Sequence, residues 1–371
     1  MLELDLVRLL LSLSRSLDFA YGGLLEHHQR VAFIALSLGR AAGLTDVDLR
    51  NIFTAAIIHD AGAVTWQEKL SLVQFDVENP WDHGRRGYEF TQDIDVLGPV
   101  APIVLSHHDY WAGDNPSGLQ GESIPLASRI IHLSDRVDVL LEPDRHVLDQ
   151  AAGIIARIQS SAGTTFDPDL VYLLQQVAAT ESFWLDLTSP WLGARLLELI
   201  PTMPRIRYAN SLLQLSRLFA RVVDAKSPYT HRHSQGVAST ARFLGEKLGL
   251  SPAECDLLEV AGLLHDLGKV TVPEEILEKP GKLTPAEFNI IKQHTYYTYW
   301  LLEPLLPNLP LAEWAAYHHE RLDGQGYPFP QIRPRARPRL PHRCRGRRLH
   351  RPRRRPPLSA RALSGGHMPH P

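Results

Sequence analysis

Apolar residues recur every three or four positions through four long stretches of this chain, which is the period of one face of an α-helix. The stretches cover residues 30–43, 48–59, 252–265 and 285–300. Several of them follow Ser, Thr or Asp, which favour helix N-termini. No segment alternates apolar and polar residues over any length. The pattern therefore predicts an all-α fold in which several helices present side chains to a shared cleft.

The first 20 residues are rich in leucine, but charged residues interrupt them at helical spacing. The interruptions are Asp5, Arg8, Arg15 and Asp18. This pattern predicts an amphipathic helix rather than a signal peptide or a membrane span, so no membrane partner is expected.

The two cysteines, Cys255 and Cys344, are too few and too far apart to form a disulfide framework. Cytoplasmic localisation fits this cysteine usage.

Histidine and aspartate residues recur twice along the chain, in the same order. The first set is His27, His59, Asp60, His83, His107, His108 and Asp135, and the second set is His233, His265, Asp266, His294, His318 and His319. In both sets the first two histidines lie 32 residues apart and the next two lie 24 apart. Flanking residues repeat as well, because 10–15 (LLSLSR) matches 212–217 (LLQLSR). The sequence therefore predicts a tandem duplication with a polynuclear metal site in each copy.

An aspartate directly after a histidine suits a site for two cations, because its carboxylate can bridge them while imidazoles complete their ligand shells. Two such cations, about 3.5–4 Å apart, activate water at neutral pH and neutralise phosphate charge. The predicted cofactors are two divalent metal ions in each site. Histidine and aspartate ligands accept Fe, Mn, Co, Ni or Zn with modest preference, so the identity of the metal stays open.

Four longer motifs surround the second set of ligands. They are HDLGK at 265–269, KPGKLT at 279–284, KQH at 292–294 and HHERLDGQGYP at 318–328. These motifs resemble the signature of the HD-GYP phosphodiesterases, which belong to the HD superfamily of metal-dependent phosphohydrolases. The resemblance is strong over 206–330 and weaker over 1–182.

The resemblance implies hydrolysis of the bacterial messenger cyclic di-GMP, or of a related cyclic dinucleotide, to linear pGpG or GMP. It implies that both ligand sets bind metal and that Asp266 and Lys269 are catalytic, with Lys269 contacting the scissile phosphate. Tyr327 would lie at the substrate pocket. Arg321 is a further candidate contact to phosphate, although a surface arginine is an equal alternative. Tyr229 stands where the family has the glutamate of a third metal, which favours two metals.

The first repeat departs from the family pattern where phosphate would be bound. Ala63 stands at the position of Lys269, and 111–118 replaces the loop that carries Gly-Tyr-Pro. Residues 124–131, followed by Asp135, nevertheless resemble the last helix of the family and its terminal aspartate ligand. The first repeat is therefore predicted to bind metal and to hydrolyse substrate slowly or not at all.

The second repeat has the opposite defect. The interval of 28 residues from His107 to Asp135, counted from His318, places the terminal aspartate near position 346. No acidic residue follows Asp323. Loss of this oxygen ligand predicts weaker metal binding and impaired activity.

The segment 331–371 differs in composition from the rest of the chain. It contains 13 arginines and no Lys, Asp or Glu, which leaves 26 basic and 41 acidic side chains in 1–330. Such a tail is either a basic arm for nucleic acid or an acidic partner, or the product of out-of-frame translation of a G+C-rich gene. We prefer the second hypothesis, which predicts a disordered tail and is tested by resequencing the gene.

These patterns divide the chain into four parts. They are a degenerate HD domain at 1–182, a linker at 183–205, an HD-GYP domain at 206–330 that is incomplete at its C-terminus, and the basic tail at 331–371. The expected partner is a cyclic dinucleotide, with no specific nucleic acid. Assembly into a homodimer is compatible with the sequence.

Two other functions remain open. One is a non-catalytic regulatory protein in which the first repeat senses a nucleotide or supports the second, and the other is a general HD nucleotide phosphohydrolase.

Some individual residues near the second ligand set also have two explanations. The aromatic residues Tyr296, Tyr297, Tyr299 and Trp300 either stack a guanine base or, as we prefer, pack in the core. Glu320 either orients a histidine or is a solvated charge.

Overall fold

The computed structural model describes residues 3–19, 26–77, 79–203, 206–225, 233–306 and 309–329. They belong to one compact unit. Tyr229 and the basic tail lie outside the described residues, so the predictions about a third metal and about tail disorder stay predictions.

The described chain is helical, as predicted. The helices of the first repeat and of the boundary region are α1 (Leu6–Phe19), α2 (His27–Ala41), α3 (Asp46–Ile58), α4 (Trp66–Leu72), α5 (Trp81–Thr91), α6 (Ala101–Leu105), α7 (Leu126–Asp138), α8 (Val147–Gln159), α9 (Pro168–Val177), α10 (Glu181–Leu187) and α11 (Leu192–Leu199). Those of the second repeat are α12 (Tyr208–Ala225), α13 (His233–Lys247), α14 (Pro252–Leu264), α15 (Glu274–Leu277), α16 (Pro285–Leu302) and α17 (Leu311–Ala316). Short 3₁₀ turns cover Gly98–Val100, Gly121–Ser123, Leu267–Thr271, Glu303–Leu305 and Tyr317–His319. Within the described ranges, none of the helices has both the length and the apolar character that a membrane crossing requires.

Two of the four predicted helix starts are confirmed, at Pro252 and Pro285, whereas α3 begins two residues before the predicted position and α2 begins at His27 without a side-chain cap. The side chains of Thr45, Ser251 and Thr284 each accept a hydrogen bond from the backbone three residues later, and a returning carboxylate completes a capping box at all three. Such caps satisfy backbone donors that the first helical turn leaves without partners. They fix where α3, α14 and α16 begin.

The core of the first repeat is built on α2. This helix packs against α3 and α7, and its buried side chains include Val31, Ile34 and Leu38. The boundary region that the sequence suggested as a linker contains α10 and α11, and α11 packs against α2. The division of the chain near 183–205 stays a prediction.

The two repeats contact each other in a reciprocal way. Helix α1 packs against the 3₁₀ turn Leu267–Thr271 and against α16 of the second repeat, while α12 packs against α5 of the first. Ser12 on α1 donates a hydrogen bond to the Leu301 carbonyl. Gln214, at the matching position on α12, accepts one of 3.3 Å from the Asp95 amide. The leading helix of each repeat therefore supports the opposite repeat.

A short antiparallel strand pair joins the two leading segments. Strand β1 (Glu3–Leu4) pairs with β2 (Ile206–Arg207), with Glu3 opposite Arg207 and Leu4 opposite Ile206. In the described ranges these are the only regular strands. Because the paired segments each precede the first helix of a repeat, this register is what a two-fold relation between the repeats would produce.

Candidate metal centres

The two ligand sets occupy matching positions in the two repeats. The first histidine begins α2 or α13, and the His-Asp pair directly follows α3 or α14. The next histidine lies within α5 or α16, and the His-His pair follows α6 or α17. The structure therefore brings together all the histidines and aspartates that the spacing predicted, and it adds α7, which carries Asp135.

Close packing behind each His-Asp pair requires glycine. A Cβ atom on Gly62 would lie 2.0 Å from the His83 carbonyl oxygen, and one on Gly268 would lie 1.9 Å from the His294 carbonyl oxygen. Both distances are shorter than any real side chain allows. Glycine at these positions lets the His-Asp turn lie directly against the helix that provides the next ligand.

In the first repeat, Asp60 lies between two pairs of histidines. Its Oδ1 is 3.1 Å from Nε2 of His83 and 3.6 Å from Nε2 of His107. Its Oδ2 is 3.4 Å from Nε2 of His59 and 3.9 Å from Nε2 of His27. Each carboxylate oxygen therefore faces its own pair of imidazoles, which is the arrangement that a ligand bridging two cations requires.

Asp135 approaches the same centre from α7. Its Oδ1 is 3.5 Å from Nε2 of His27, and its Oδ2 is 3.9 Å from Nε2 of His108. The buried Arg136 holds this carboxylate at 2.6 Å and also donates to the carbonyls of Leu72, Gln74 and Phe75. The orientation of Asp135 is therefore fixed by the chain between α4 and α5.

His27 is oriented by a second carboxylate on α7. Its Nδ1 lies 2.7 Å from Asp138 Oδ2, and Arg30 also binds that carboxylate. Burial opposes a charged imidazole, but the hydrogen bond and charge of Asp138, together with the charges of Asp135 and Asp60, raise the pKa of His27 to about 9. The position therefore favours positive charge beside Asp60 and Asp135.

The residues of the first repeat fit a pair of metal ions. Nε2 of His59 and Nε2 of His108 are buried and lack a hydrogen-bond partner among the described residues. Burial lowers the pKa of His59 to about 3, so its imidazole is neutral, which is the form that binds metal. A neutral imidazole nitrogen buried beside carboxylates costs free energy unless a cation or proton satisfies it.

The second repeat repeats the central geometry around Asp266. Its Oδ2 is 3.0 Å from Nε2 of His265 and 3.8 Å from Nε2 of His233. Its Oδ1 is 3.5 Å from Nε2 of His294 and 3.7 Å from Nε2 of His318. Asp266 therefore also lies between two pairs of imidazoles. Its carboxylate could bridge two cations in the same way as that of Asp60.

Backbone carbonyls orient the imidazoles in both repeats. In five histidines, Nδ1 lies 2.6–2.8 Å from the carbonyl oxygen of the residue three positions earlier. They are His59, His107, His265, His294 and His318. This contact fixes the tautomer and points Nε2 into the centre. Burial lowers the pKa of His318 to about 3 and that of His319 to about 4, so both are neutral.

Lys269 distinguishes the second centre from the first. Its Nζ lies 2.5 Å from Asp266 Oδ2, on the 3₁₀ turn that follows the His-Asp pair. In the first repeat the matching Ala63 is buried. The second centre therefore carries a cationic side chain beside its bridging aspartate, which the first centre lacks at the matching position.

A cavity of about 490 Å³ opens beside the second centre. Its lining residues are Phe288, Lys292, His318, His319, Glu320, Arg321, Gln325, Gly326 and Tyr327. The Tyr327 ring stacks on His319, with 4.8 Å between ring centroids and 23° between planes. The volume lies within the ordinary range of small-ligand pockets. Of the three predicted substrate residues, Arg321 and Tyr327 line this cavity, whereas Lys269 is not among its lining residues.

Two polar residues of this loop have local partners. Arg321 binds Asp323 through two hydrogen bonds, of 3.0 and 2.5 Å. Glu320 accepts a hydrogen bond of 2.8 Å from the Phe329 amide. This contact ties one carboxylate oxygen of Glu320 to the end of the loop. The two explanations considered from the sequence, orientation of a histidine and a solvated charge, stay predictions.

The aromatic residues of α16 divide into two groups. Tyr299 packs against the core and lies nearly parallel to Tyr317. Tyr296 and Trp300 are about half exposed. The preferred expectation of core packing is therefore correct for Tyr299 and wrong for Tyr296 and Trp300, because these two face away from the helices packed against α16.

Sequence reasoning missed several residues around the first centre. Asp138 and Arg136 lie on the same helix as Asp135, and the spacing of three from Asp135 to Asp138 could have placed the second carboxylate on the same face. His28 and Asp18, both buried, also lie beside the centre. The adjacent histidines His27 and His28 were the available signal.

Comparison with known proteins agrees with this architecture. Two family models match, both described as HD domain, over residues 24–140 and 217–333. The chain is 32% identical to 3′3′-cGAMP-specific phosphodiesterase 1 of Vibrio cholerae over 85% of this chain and 75% of that protein. It is 38% identical to a cyclic di-GMP phosphodiesterase of Thermotoga maritima over 33% of each chain.

A solved structure shows the same fold. It is described as a cyclic GMP-AMP specific phosphodiesterase of V. cholerae, with a TM-score of 0.66, 28% identity and coverage of 85% of this chain and 83% of that one. The fold and both centres define a metal-dependent phosphohydrolase with tandem HD domains. Within that class, the chain belongs to the HD-GYP phosphodiesterase family.

Proposed function

We propose that the second repeat hydrolyses a phosphodiester bond of a cyclic dinucleotide, and that cyclic di-GMP is cleaved to linear pGpG or GMP. The observation that carries the proposal is the combination of Asp266, Lys269 and the adjoining cavity. Two relatives matched over 85% and 87% of the chain are named for 3′3′-cGAMP, whereas two matched over 33% of it are named for cyclic di-GMP. Cyclic GMP-AMP is therefore the second candidate substrate.

The ligands proposed for the second centre are the five histidines and one aspartate of the second set. They are His233, His265, Asp266, His294, His318 and His319. Divalent ions bound there would supply activated water and neutralise phosphate charge. Asp266 would bridge the two positions, because its two oxygens face different histidine pairs.

Lys269 would bind the scissile phosphate. Its ammonium group lies 2.5 Å from Asp266 Oδ2. The other oxygen of Asp266 lies 3.7 Å from Nε2 of His318, which lines the cavity. An anionic phosphate near Asp266 offers the ammonium group a second partner at little cost in conformation. The charge that develops on the phosphate oxygens in the transition state would then be stabilised by Lys269.

Tyr327 and Arg321 would position the rest of the substrate. A nucleobase can stack on the Tyr327 ring, which the His319 ring already holds in place. Phe288 and Lys292 line the same cavity, and the Phe288 ring packs edge-on against Tyr327, with 5.9 Å between ring centroids. Arg321 would have to exchange Asp323 for phosphate, so its contribution to binding should be smaller than that of Lys269.

The first repeat is proposed to bind two metal ions without catalysing hydrolysis. Its proposed ligands are His27, His59, Asp60, His83, His107, His108 and Asp135. The side chains of these residues are almost completely buried, and Ala63 cannot neutralise phosphate. A regulatory or supporting role fits the contact of α1 with the turn that carries Lys269.

A substrate comparison tests the proposal. The purified full chain, loaded with Mn²⁺ or Fe²⁺, is incubated with cyclic di-GMP, with 3′3′-cGAMP and with nucleoside monophosphates, and products are separated by chromatography. The expected result is cleavage of at least one cyclic dinucleotide and loss of that cleavage in Lys269→Ala. Cleavage of monophosphates alone would instead favour a general nucleotidase, and no cleavage at full metal loading would favour a regulatory protein.

A further inference from the structure

A second histidine on α2 lies against the first metal centre. His28 directly follows His27, and none of its surface is exposed. Its Nδ1 lies 2.5 Å from Oδ1 of Asp18, whose side chain is also buried, and the same carboxylate oxygen accepts a hydrogen bond of 3.2 Å from the His28 amide. The imidazole is thus held in one orientation by a carboxylate, as are histidines that bind metal.

The ring of His28 also reaches the ligands of the centre. Its centroid lies 4.9 Å from that of His59. A ligating atom of His28, one of His59 and one of Asp60 all lie within 4.8 Å of one another. Metal bonds to nitrogen and oxygen are about 2.0–2.2 Å long, so donors at such separations can share one ion after small rotations of the side chains.

The second repeat offers an internal comparison. Ser234 follows His233 as His28 follows His27, and it is also completely buried. Asp224, ten residues before Ser234, makes the contact that Asp18 makes ten residues before His28. Ser234 Oγ donates a hydrogen bond of 2.8 Å to Asp224, and the Ser234 amide lies 3.3 Å from the same carboxylate. Both repeats therefore keep the aspartate and its contact with the helix start. Only the first repeat places an imidazole on it.

We propose that His28 is an additional metal ligand of the first centre, binding through Nε2 and oriented by Asp18. With His28, eight residues would supply the ligands of the first centre: His27, His28, His59, Asp60, His83, His107, His108 and Asp135. Sites in which the protein supplies most ligands leave few open positions for water or substrate, which is characteristic of structural centres. The inference rests on the proposed metal binding of the first repeat and is independent of catalysis by the second.

Metal affinity of the full chain tests this ligand. His28→Ser, which introduces the residue used by the second repeat, should weaken the binding of one ion by at least about tenfold, as for the loss of a metal ligand or its support. The matched control is His146→Ser, because His146 is an exposed histidine that caps α8 and serine also caps helices. Metal content is measured after dialysis of the Zn²⁺-loaded proteins against graded chelator.

Two comparisons make the result decisive. Unchanged affinity in His28→Ser would overturn the proposal for His28. Equal metal content in Asp60→Asn and the unaltered chain would overturn the metal binding of the first repeat itself, so the two failures are distinguishable. Because His28→Ser leaves a buried gap, a crystal structure of the unaltered Zn²⁺-loaded chain is the second measurement. Nε2 of His28 is expected about 2.0–2.1 Å from an ion, and a distance beyond bonding range would exclude the ligand.

Discussion

The two metal centres share their central geometry but differ in how they meet solvent. The side chain of His27 is 3% exposed, whereas that of His233, its counterpart, is 47% exposed. The first centre is surrounded by protein and includes Asp135, while the second opens to a cavity and carries Lys269. The duplicated framework therefore carries a closed centre with an additional aspartate in one copy and an open centre with a lysine in the other.

The difference follows from what surrounds each His-Asp pair. In the first repeat, α7 closes the centre with Asp135, Arg136 and Asp138. The described part of the second repeat ends in the loop of Gly326 and Tyr327, whose residues line the cavity. Ligand identity alone thus does not define function, because access for substrate is decided by the elements added around the ligands.

The bridging aspartates provide the largest expected contrast. Asp266→Asn should reduce turnover of a cyclic dinucleotide by about 10³-fold or more, because several kcal/mol of charge stabilisation by metal are lost. It should also lower the metal content of the second centre. Asp60→Asn should leave most of the turnover intact at temperatures where the protein is folded. Steady-state kinetics and metal analysis measure both effects, and equal losses of turnover in the two variants would contradict the division of roles.

The lysine that only the second repeat carries should matter nearly as much. Lys269→Ala is expected to lower kcat by about 10²–10³-fold, the usual effect of removing one group that stabilises transition-state charge. Its counterpart is Ala63→Lys, tested in the Asp266→Asn background so that residual turnover belongs to the first repeat. No gain is expected, because Ala63 is buried and the Gly-Tyr-Pro loop is absent there. Strong turnover in that double variant would show that a lysine is the one missing group.

Metal retention should differ by a smaller factor. The first centre has Asp135 and its support by Arg136, so it is expected to hold metal about 10–100-fold more tightly than the second. Dialysis against graded chelator, followed by metal analysis, should show two steps of loss. The step at higher chelator concentration should disappear in Asp60→Asn and persist in Asp266→Asn. If that step instead disappeared in Asp266→Asn and persisted in Asp60→Asn, solvent exposure of a centre would not determine how tightly it holds metal.

Tyr327 is expected to show the smallest effect. Tyr327→Leu removes the stacking ring and should raise KM by roughly tenfold, since stacking on an aromatic side chain contributes about 1–3 kcal/mol per base. Tyr327→Phe keeps the ring and serves as the matched control, with KM close to that of the unaltered enzyme. A large loss in Tyr327→Phe with little further loss in Tyr327→Leu would assign the contribution to the hydroxyl group instead.

Much of the architecture was predictable because it depends on local sequence. The helical period fixed the positions of α2, α3, α14 and α16, and capping residues such as Thr45 and Thr284 fixed where they begin. The repeated intervals identified the histidines and aspartates of both centres, since a duplicated chain keeps its ligands at matching places on matching helices. The HDLGK and Gly-Tyr-Pro motifs then indicated the family before any contact was known.

Only the tertiary structure decided which centre is closed and which is open. Three contacts join residues that are distant in sequence or lie on different elements. They are the contact of His28 with Asp18, the hydrogen bonds of Arg136 to the carbonyls of residues 72, 74 and 75, and the packing of α1 on the turn that carries Lys269. The packing of α11 on α2 was likewise absent from a pattern that suggested a linker. Spacing along one helix determines which side chains share a face of that helix. Which other helix packs against that face depends on contacts between residues far apart in the sequence, and the helical period does not contain this information.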